Sequence, residues 1–396
     1  MEDFELSVMS YNQEQVGKLQ SLLSEFEAQN HIRVHIRTLS WDSSWSEILK
    51  FVFQGHGPAV SEVGNTWVIS LAKMNALRAF DSDEVGSMGG AGAFIPETWH
   101  TDPINNANWS IPWLAETRVI YYWRDLLKAA GVEEKTAFGT HKQLENTLKR
   151  LQKNGVSNPW IIPTAKTTNT LHNIRSWIGG ATGDFVDADH RRVTFADKAS
   201  RSGIKNYYSL YRFLSPEFYG FTPPQVDGVF QRKEAAVTIN GPWAIFHPSA
   251  PLPSQDLKNI GVAPLPGVSS VLASDLVIWK HTSVRHERIA VNLVKFLTSH
   301  KAQLQCPKHS GLLPARLETL ESKSFSADPF YQVFVDGLKS GRSLPTMRLW
   351  GLVEERLTAA LAVLWAKILA EPNPDLDAII KAELEPLAQR LNHILQ

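Results

Sequence analysis

The residues of this chain that most invite a chemical reading are its tryptophans, 13 in 396 residues. The stretch INGPWAIF, residues 239 to 246, sets Trp243 behind an apolar run, a glycine and a proline. Proline suits the first turn of a helix, where its missing N–H would have no partner, and glycine permits a tight approach from a strand. The spacing therefore predicts a strand that gives way to a helix with an indole at its N-terminus. Such a ring can fill a core or face a ligand, and the stretch alone leaves both open.

Signatures of covalent chemistry are missing. The chain has no G-x-S-x-G elbow, no H-E-x-x-H helix and no Walker sequence, and Cys306 with His309 is too sparse for a zinc site. GSMGGAG, residues 86 to 92, follows no apolar strand and opens no periodic helix, which removes it as a phosphate loop. His31 and His35 share the polar face of an alternating strand and are expected in solvent. Asn108, Trp109 and Ser110 form a glycosylation sequon, a pattern short enough to arise by chance. No carboxylate pair for acid and base work can be picked out by spacing. The expectation is a protein that is not an enzyme and needs no cofactor or metal.

Composition narrows the classes further. Hydrophobic content of 43% with 20% charged residues describes an ordinary globular chain, and 396 residues favour two domains over one core. Lys plus Arg and Asp plus Glu both number 40, so no net field favours a polyanion, and nucleic acid is not an expected partner. A single cysteine excludes an internal disulfide framework. No run reaches the ~18 apolar residues of a membrane span. The N-terminus shows no basic segment followed by an apolar one. The location expected is periplasmic or otherwise extracytoplasmic if a signal peptide has been removed, and cytoplasmic if none existed.

The elements that must position these residues alternate. FELSVMS reads as a strand, Asn12 with Gln15 has capping-box spacing, and Val16, Leu19, Leu22, Leu23 and Phe26 follow at helical period. HIRVHIRTL alternates as a second strand, with Ser44 and Glu47 capping the next helix. PAVSEVG gives a third strand, ahead of a helix carrying Trp67, Leu71, Met74 and Leu77. Such units imply an α/β fold with a parallel sheet covered on both faces. Ligands bind beyond the carboxyl ends of the strands in such sheets, which selects Tyr11, Trp41, Asn65, Thr66 and Trp67. After an irregular segment rich in Gly, Asp, Asn and Pro, alternation resumes: TRVIYYW and PWIIPTA as strands, TLHNIRSWIGG as a helix, DADHRRVTF as a hairpin, then NIGVAPLPG and SDLVIWKHT as strands. Long helices close the chain.

Several of these stretches, in their order and spacing, resemble family 1 of the extracellular solute-binding proteins, which deliver sugars to ABC importers. PAVSEVGNTWVISLAKMNALRAFD resembles the family's third strand and following helix, IPWLAETRVIYYWRDLLKAAGV its crossing into a second domain, and WIGGATGDFVDADHRRVTF its glycine turn and hairpin. KEAAVTINGPWAIF resembles its alanine-rich strand with G-x-W, and AVNLVKFLTSHKAQLQCPKHSGLLPAR its late helix and G-x-x-P-x-R segment. The resemblance implies a type II periplasmic-binding-protein fold: two α/β lobes, each a mainly parallel sheet flanked by helices, joined by a hinge crossed more than once. Residues 1–112 and 265–313 would form the first lobe, 113–264 and 314–396 the second. It also implies capture of a sugar, in particular an oligosaccharide, by a monomer that presents it to ABC permease subunits. Gly241 and Trp243 would stack on the sugar, Asn65 and Trp67 would line a wall, and Glu116 would accept hydroxyls near the hinge. A sugar pairs apolar C–H faces with a rim of hydroxyls, which flat rings plus Glu116, Asn65 and Asp275 would meet. The full candidate set is Tyr11, Glu14, Trp41, Asn65, Thr66, Trp67, Glu116, Gly241, Trp243, Asp275 and Trp350. A carbohydrate-active enzyme using Glu116 and Asp275, and a cytoplasmic sensor with the same fold, are the alternatives.

Overall fold

The computed structural model describes residues 2–41, 43–99, 106–246, 254–345, 347 and 349–395. Among the described residues eleven strands carry the sheets: β1 Glu2–Met9, β2 Ile32–Leu39, β3 Val60–Gly64, β4 Leu77–Arg78, β5 Ile111–Glu116, β6 Val119–Trp123, β7 Val237–Asn240, β8 Ile260–Pro264, β9 Ser270–Trp279, β10 Leu313–Pro314 and β11 Arg342–Ser343. The chain divides into two compact units, residues 1–116, 242–251 and 271–339, and residues 117–241, 252–270 and 340–396.

In the first unit the strand order is β10-β5-β9-β3-β1-β2, with β4 also on β9. β1 runs parallel to β2 and β3. β9 enters antiparallel between β3 and β5. The parallel reading therefore holds along β2-β1-β3, and the late strand reverses direction. Helix Gln13–Asn30 opens on the expected capping box of Asn12 and Gln15, and its Leu19, Leu23 and Phe26 are buried. The next helix, Ser44–Gln54, has Ser43 at its N-cap without a side-chain bond, so the expected Ser44 cap is displaced by one residue. Ile48, Phe51, Val68 and Leu71 pack with Val63, Val277 and Trp279 over one face of the sheet. Phe4, on the other face of β1, meets His286 of helix Val284–Leu297 edge-on at 5.6 Å.

Two sequence readings change here. Leu77 belongs to β4 rather than to a helix, because the helix after Trp67 ends at Lys73 and the chain returns to pair with β9. The unit also keeps the chain beyond 313, to Lys339. The reason is that β10 pairs with β5 and the short helix Leu317–Leu320 packs on β10, so the return to the second unit waits until Ser340.

The second unit's sheet, β7-β6-β8, is antiparallel. PWIIPTA contributes one parallel bridge from Ile161 to Thr238 instead of a full strand, and the expected hairpin is a bridge between Val186 and Val193. Four helices, Thr168–Gly180, Lys198–Tyr208, Trp350–Leu369 and Leu376–Leu395, pack on one another. The Tyr208 hydroxyl donates to Leu361 O at 2.7 Å, and its ring lies 4.4 Å from that of Trp365. Gly203 allows the first two helices to touch, since a Cβ there would lie 2.4 Å from Trp177 O. No helix among the described residues is long and apolar enough to cross a membrane.

Candidate functional site

At the carboxyl end of β2, Trp41 lies two residues past Leu39 and is fixed by its N–H, which donates to Ser10 Oγ at 3.1 Å. Its indole is 41% exposed, the only exposed tryptophan among the described residues. Beneath it the Trp67 ring lies 5.7 Å away, edge-on, and Trp45 lies 5.4 Å from Trp67. Gly64 ends β3 directly under this cluster: a Cβ there would come within 3.4 Å of Trp67 and 3.7 Å of Trp41. Asn65, Thr66 and Trp67 form a 3-10 turn and are all buried. The arrangement gives the first unit an aromatic face in which Trp41 is presented and Trp67 supports it, whereas the sequence offered both rings alike as ligand contacts.

Tyr11 is committed elsewhere. It is buried, its hydroxyl is hydrogen-bonded to His309 Nδ1 at 2.9 Å, and the His309 ring centroid lies 5.9 Å from that of Tyr11 and 5.8 Å from that of Trp113. Burial pushes the His309 imidazole down to about 3, so it is neutral in the fold. Glu14 is exposed on its helix and pairs with Lys18 at 2.7 Å, an i,i+4 surface pair. Neither residue joins the aromatic face.

Asp275 is the clearest departure from expectation. It is fully buried on the Val277 and Trp279 face of β9, with Ser110 Oγ donating to its Oδ2 at 2.6 Å. Burial raises its carboxyl to about 7. The sequence missed its counterpart: Glu62, buried on the other face of β3, accepts from Met9 N–H at 2.8 Å and from Ser274 Oγ at 2.6 Å. Burial raises Glu62 to about 7 too. An acidic residue inside an apolar strand, as in SEVG, was the available signal for it. Both carboxyls are sealed from solvent. Asp275 is therefore not presented to solvent as the sequence suggested, while Glu116 is half-buried at the end of β5.

In the second unit, Gly241 is buried and its carbonyl accepts from the Tyr121 hydroxyl at 2.8 Å. One residue before it, Asn240 Nδ2 donates to Asp227 Oδ1 at 2.5 Å. Burial raises Asp227 to about 6, opposed by that bond and by the charge of Arg118, so β7 ends on a buried polar group that sequence reasoning did not find. The chain then passes to the first unit, where Trp243 is half-buried at the start of the short helix Trp243–Phe246, as the Gly-Pro-Trp spacing predicts. Trp350 departs from expectation: it is fully buried at the start of helix Trp350–Leu369, 6.0 Å from the Phe185 ring, which makes it a core residue of the second unit. Among the described residues no three His, Cys, Asp or Glu side chains are placed to hold a metal ion.

A family model for bacterial extracellular solute-binding proteins matches residues 12–304. A Brucella abortus (strain 2308) protein named as a binding protein is 19% identical, with 96% of this chain and 92% of that one covered. An ABC transporter solute-binding protein from Thermotoga lettingae TMO, solved with alpha-D-tagatose, is similar at TM-score 0.85 and 17% identity, with 100% of both chains covered. The GacH receptor of Streptomyces glaucescens GLA.O, solved unliganded and with acarbose, is similar at TM-score 0.81 and 19% identity, covering 98% of each chain.

Proposed function

This chain belongs to the bacterial extracellular solute-binding proteins, and we propose that it captures a sugar, in particular an oligosaccharide, outside the cytoplasm and presents it to the membrane subunits of an ABC importer. The observation that carries the sugar is Trp41, a rigidly backed indole offered to solvent beyond the carboxyl end of β2. A flat ring of this kind matches the apolar C–H face of a pyranose. The sugars held by solved proteins of the same fold support the reading. The protein acts by binding, as a monomer, and returns its ligand unchanged.

A sugar that binds only the folded state stabilises it by mass action, by about 2.7 kcal/mol at a hundredfold excess over Kd. A thermal-shift screen of mono- and oligosaccharides will raise the melting temperature for a few of them by several degrees, and mass spectrometry after overnight incubation will recover those sugars intact. A broad panel without effect, alongside stabilisation by amino acids or peptides, overturns the assignment.

Trp41→Ala and Trp243→Ala will each weaken the best sugar by about 2 kcal/mol, roughly thirtyfold, in calorimetric titration. Trp41 is 41% exposed, so its truncation will cost the free protein less than the ~3 to 5 kcal/mol of a fully buried ring. Unchanged sugar affinity in both variants removes the rings from the site.

A further inference from the structure

Within the first unit, Glu62 stands where the sheet opens. The parallel pairing of β1 with β3 joins Leu6 to Val60 and Ser7 to Ser61 and goes no further. Two residues on, Met9 N–H donates to the Glu62 carboxyl at 2.8 Å, and Ser274 Oγ of β9 donates to its other oxygen at 2.6 Å. One side chain thus ties the end of β1 to β3 and β9. Glu62 is 1% exposed and has no Lys or Arg partner among the described residues. A buried acid without a cation is costly, and an apolar side chain would fill the same space more cheaply.

The bond to Met9 leads straight to the aromatic face. Ser10, the next residue, has left-handed backbone at φ 55, which a residue other than glycine keeps only where its neighbours hold it. Its N–H donates to Leu39 O at 2.6 Å, and its Oγ accepts from Trp41 N–H at 3.1 Å. These two bonds bracket Ser40 and set the path of the chain into Trp41. On the other side, β3 runs from Glu62 through Val63 to Gly64, directly under Trp41 and Trp67. The turn that carries the presented ring and the floor beneath it therefore meet at one carboxyl.

We infer that Glu62 is a positioning residue for Trp41: by fixing the turn Met9–Ser10 it holds the indole at one height and angle for a sugar. The inference rests on the sugar reading of Trp41. A ring held in advance spares binding the cost of ordering it. Tyr11 and Cys306 feel the charge of Glu62, and burial pushes both of them up, while His309, bonded to Tyr11, is pushed down to about 3. Of this group only Glu62, raised to about 7, changes charge between about pH 5 and 8.5. Asp275, also raised to about 7, follows Ser274 on β9 with its side chain bonded to Ser110 instead.

The test reads the ring with and without sugar. Protein labelled with 5-fluorotryptophan gives a fluorine signal for each indole, and Trp41→Phe identifies that of Trp41. In the free protein this signal will shift with pH, with a midpoint near 7, in wild type and in Asp275→Asn, and will stay still in Glu62→Gln. In calorimetry with the best sugar of the thermal-shift screen, Ser10→Ala will weaken binding about fivefold, the worth of one hydrogen bond, and will add no loss to Trp41→Ala. Glu62→Leu, which removes the acceptor, will weaken the same sugar more than Glu62→Gln, which keeps one. Ser10 is exposed, so its variant carries the titration even where Glu62→Leu does not fold. A Trp41 signal that ignores pH, or that moves alike in Glu62→Gln, overturns the inference, as does a Ser10→Ala loss that persists in full beside Trp41→Ala. Because the fluorine signal needs no sugar, failure here is distinguishable from failure of the sugar reading.

Discussion

Raising the pH from about 5 to 8.5 will destabilise the first unit, and Glu62→Gln will remove a large part of that loss. In the unfolded chain Glu62 and Asp275 release their protons near 4.5 and 3.8, whereas in the fold burial holds the protons to about 7. Between those limits the native state binds more protons than the unfolded one, so stability falls as pH rises and levels off above the folded values. Differences of this size correspond to roughly 3 kcal/mol per carboxyl. His309 works in the opposite direction: its imidazole is pushed from 6.5 to about 3, so the unfolded chain takes up a proton that the native state refuses, and stability is lost as pH drops through that range. The carboxyl effect is therefore partly masked below pH 6.5 and emerges above it. Glutamine mimics the protonated acid, accepting from Met9 N–H while Ser274 Oγ turns to accept from the new amide. Urea unfolding at the two pH values will show Glu62→Gln close to wild type at pH 5 and about 3 kcal/mol more stable at pH 8.5. Parallel pH profiles for the two proteins would show that the fold does not hold Glu62 protonated.

Trp350→Ala will cost the second unit about 3 to 5 kcal/mol, the range for removing a large ring from a packed core. The indole is fully buried at the start of helix Trp350–Leu369, 6.0 Å from Phe185, and that helix packs on two of the other three in the bundle. Denaturant unfolding of the ligand-free protein measures the loss, and Trp350→Phe will recover a large share of it. Intact apo stability in Trp350→Ala, together with weakened sugar binding, would return Trp350 to the ligand contacts that the sequence suggested.

The alternation of short-range elements was readable because period and caps are local properties. The capping box at Asn12, the strand alternation of 32–39 and the Gly-Pro-Trp junction before Trp243 all depend on neighbours within a few residues. What stayed hidden depends on distant partners. Nothing within SDLVIWKHT reveals that it runs antiparallel beside β3, and so Asp275 looked like a pocket residue when its only access is to Ser110 inside the fold. The burial of Trp67 and Trp350 stayed hidden for the same reason: a large ring beside a strand or helix end is exposed or buried according to what packs above it. For Trp67 that is Trp41, more than twenty residues earlier, and for Trp350 the neighbouring ring is Phe185, far back along the chain. Arg175, 2% exposed on helix Thr168–Gly180, gave no signal of its burial, since an arginine near a helix end ordinarily faces water.

The place of β9 has a consequence for how the molecule is made. It sits between β3 and β5, yet it is synthesised more than a hundred and fifty residues after either of them. Until Ser270 to Trp279 emerge, β3 and β5 have an unpaired edge and Glu62 lacks the hydroxyl of Ser274. The second unit waits longer still, because two of its four bundle helices lie beyond residue 349. Contacts of such long sequence separation slow folding, as loop-closure entropy must be overcome before any reward arrives. The nascent chain therefore remains unfolded and open to chaperones for most of its translation, and a stalled chain ending before Ser270 will be digested by protease throughout, where a chain with independent early folding would leave a resistant core.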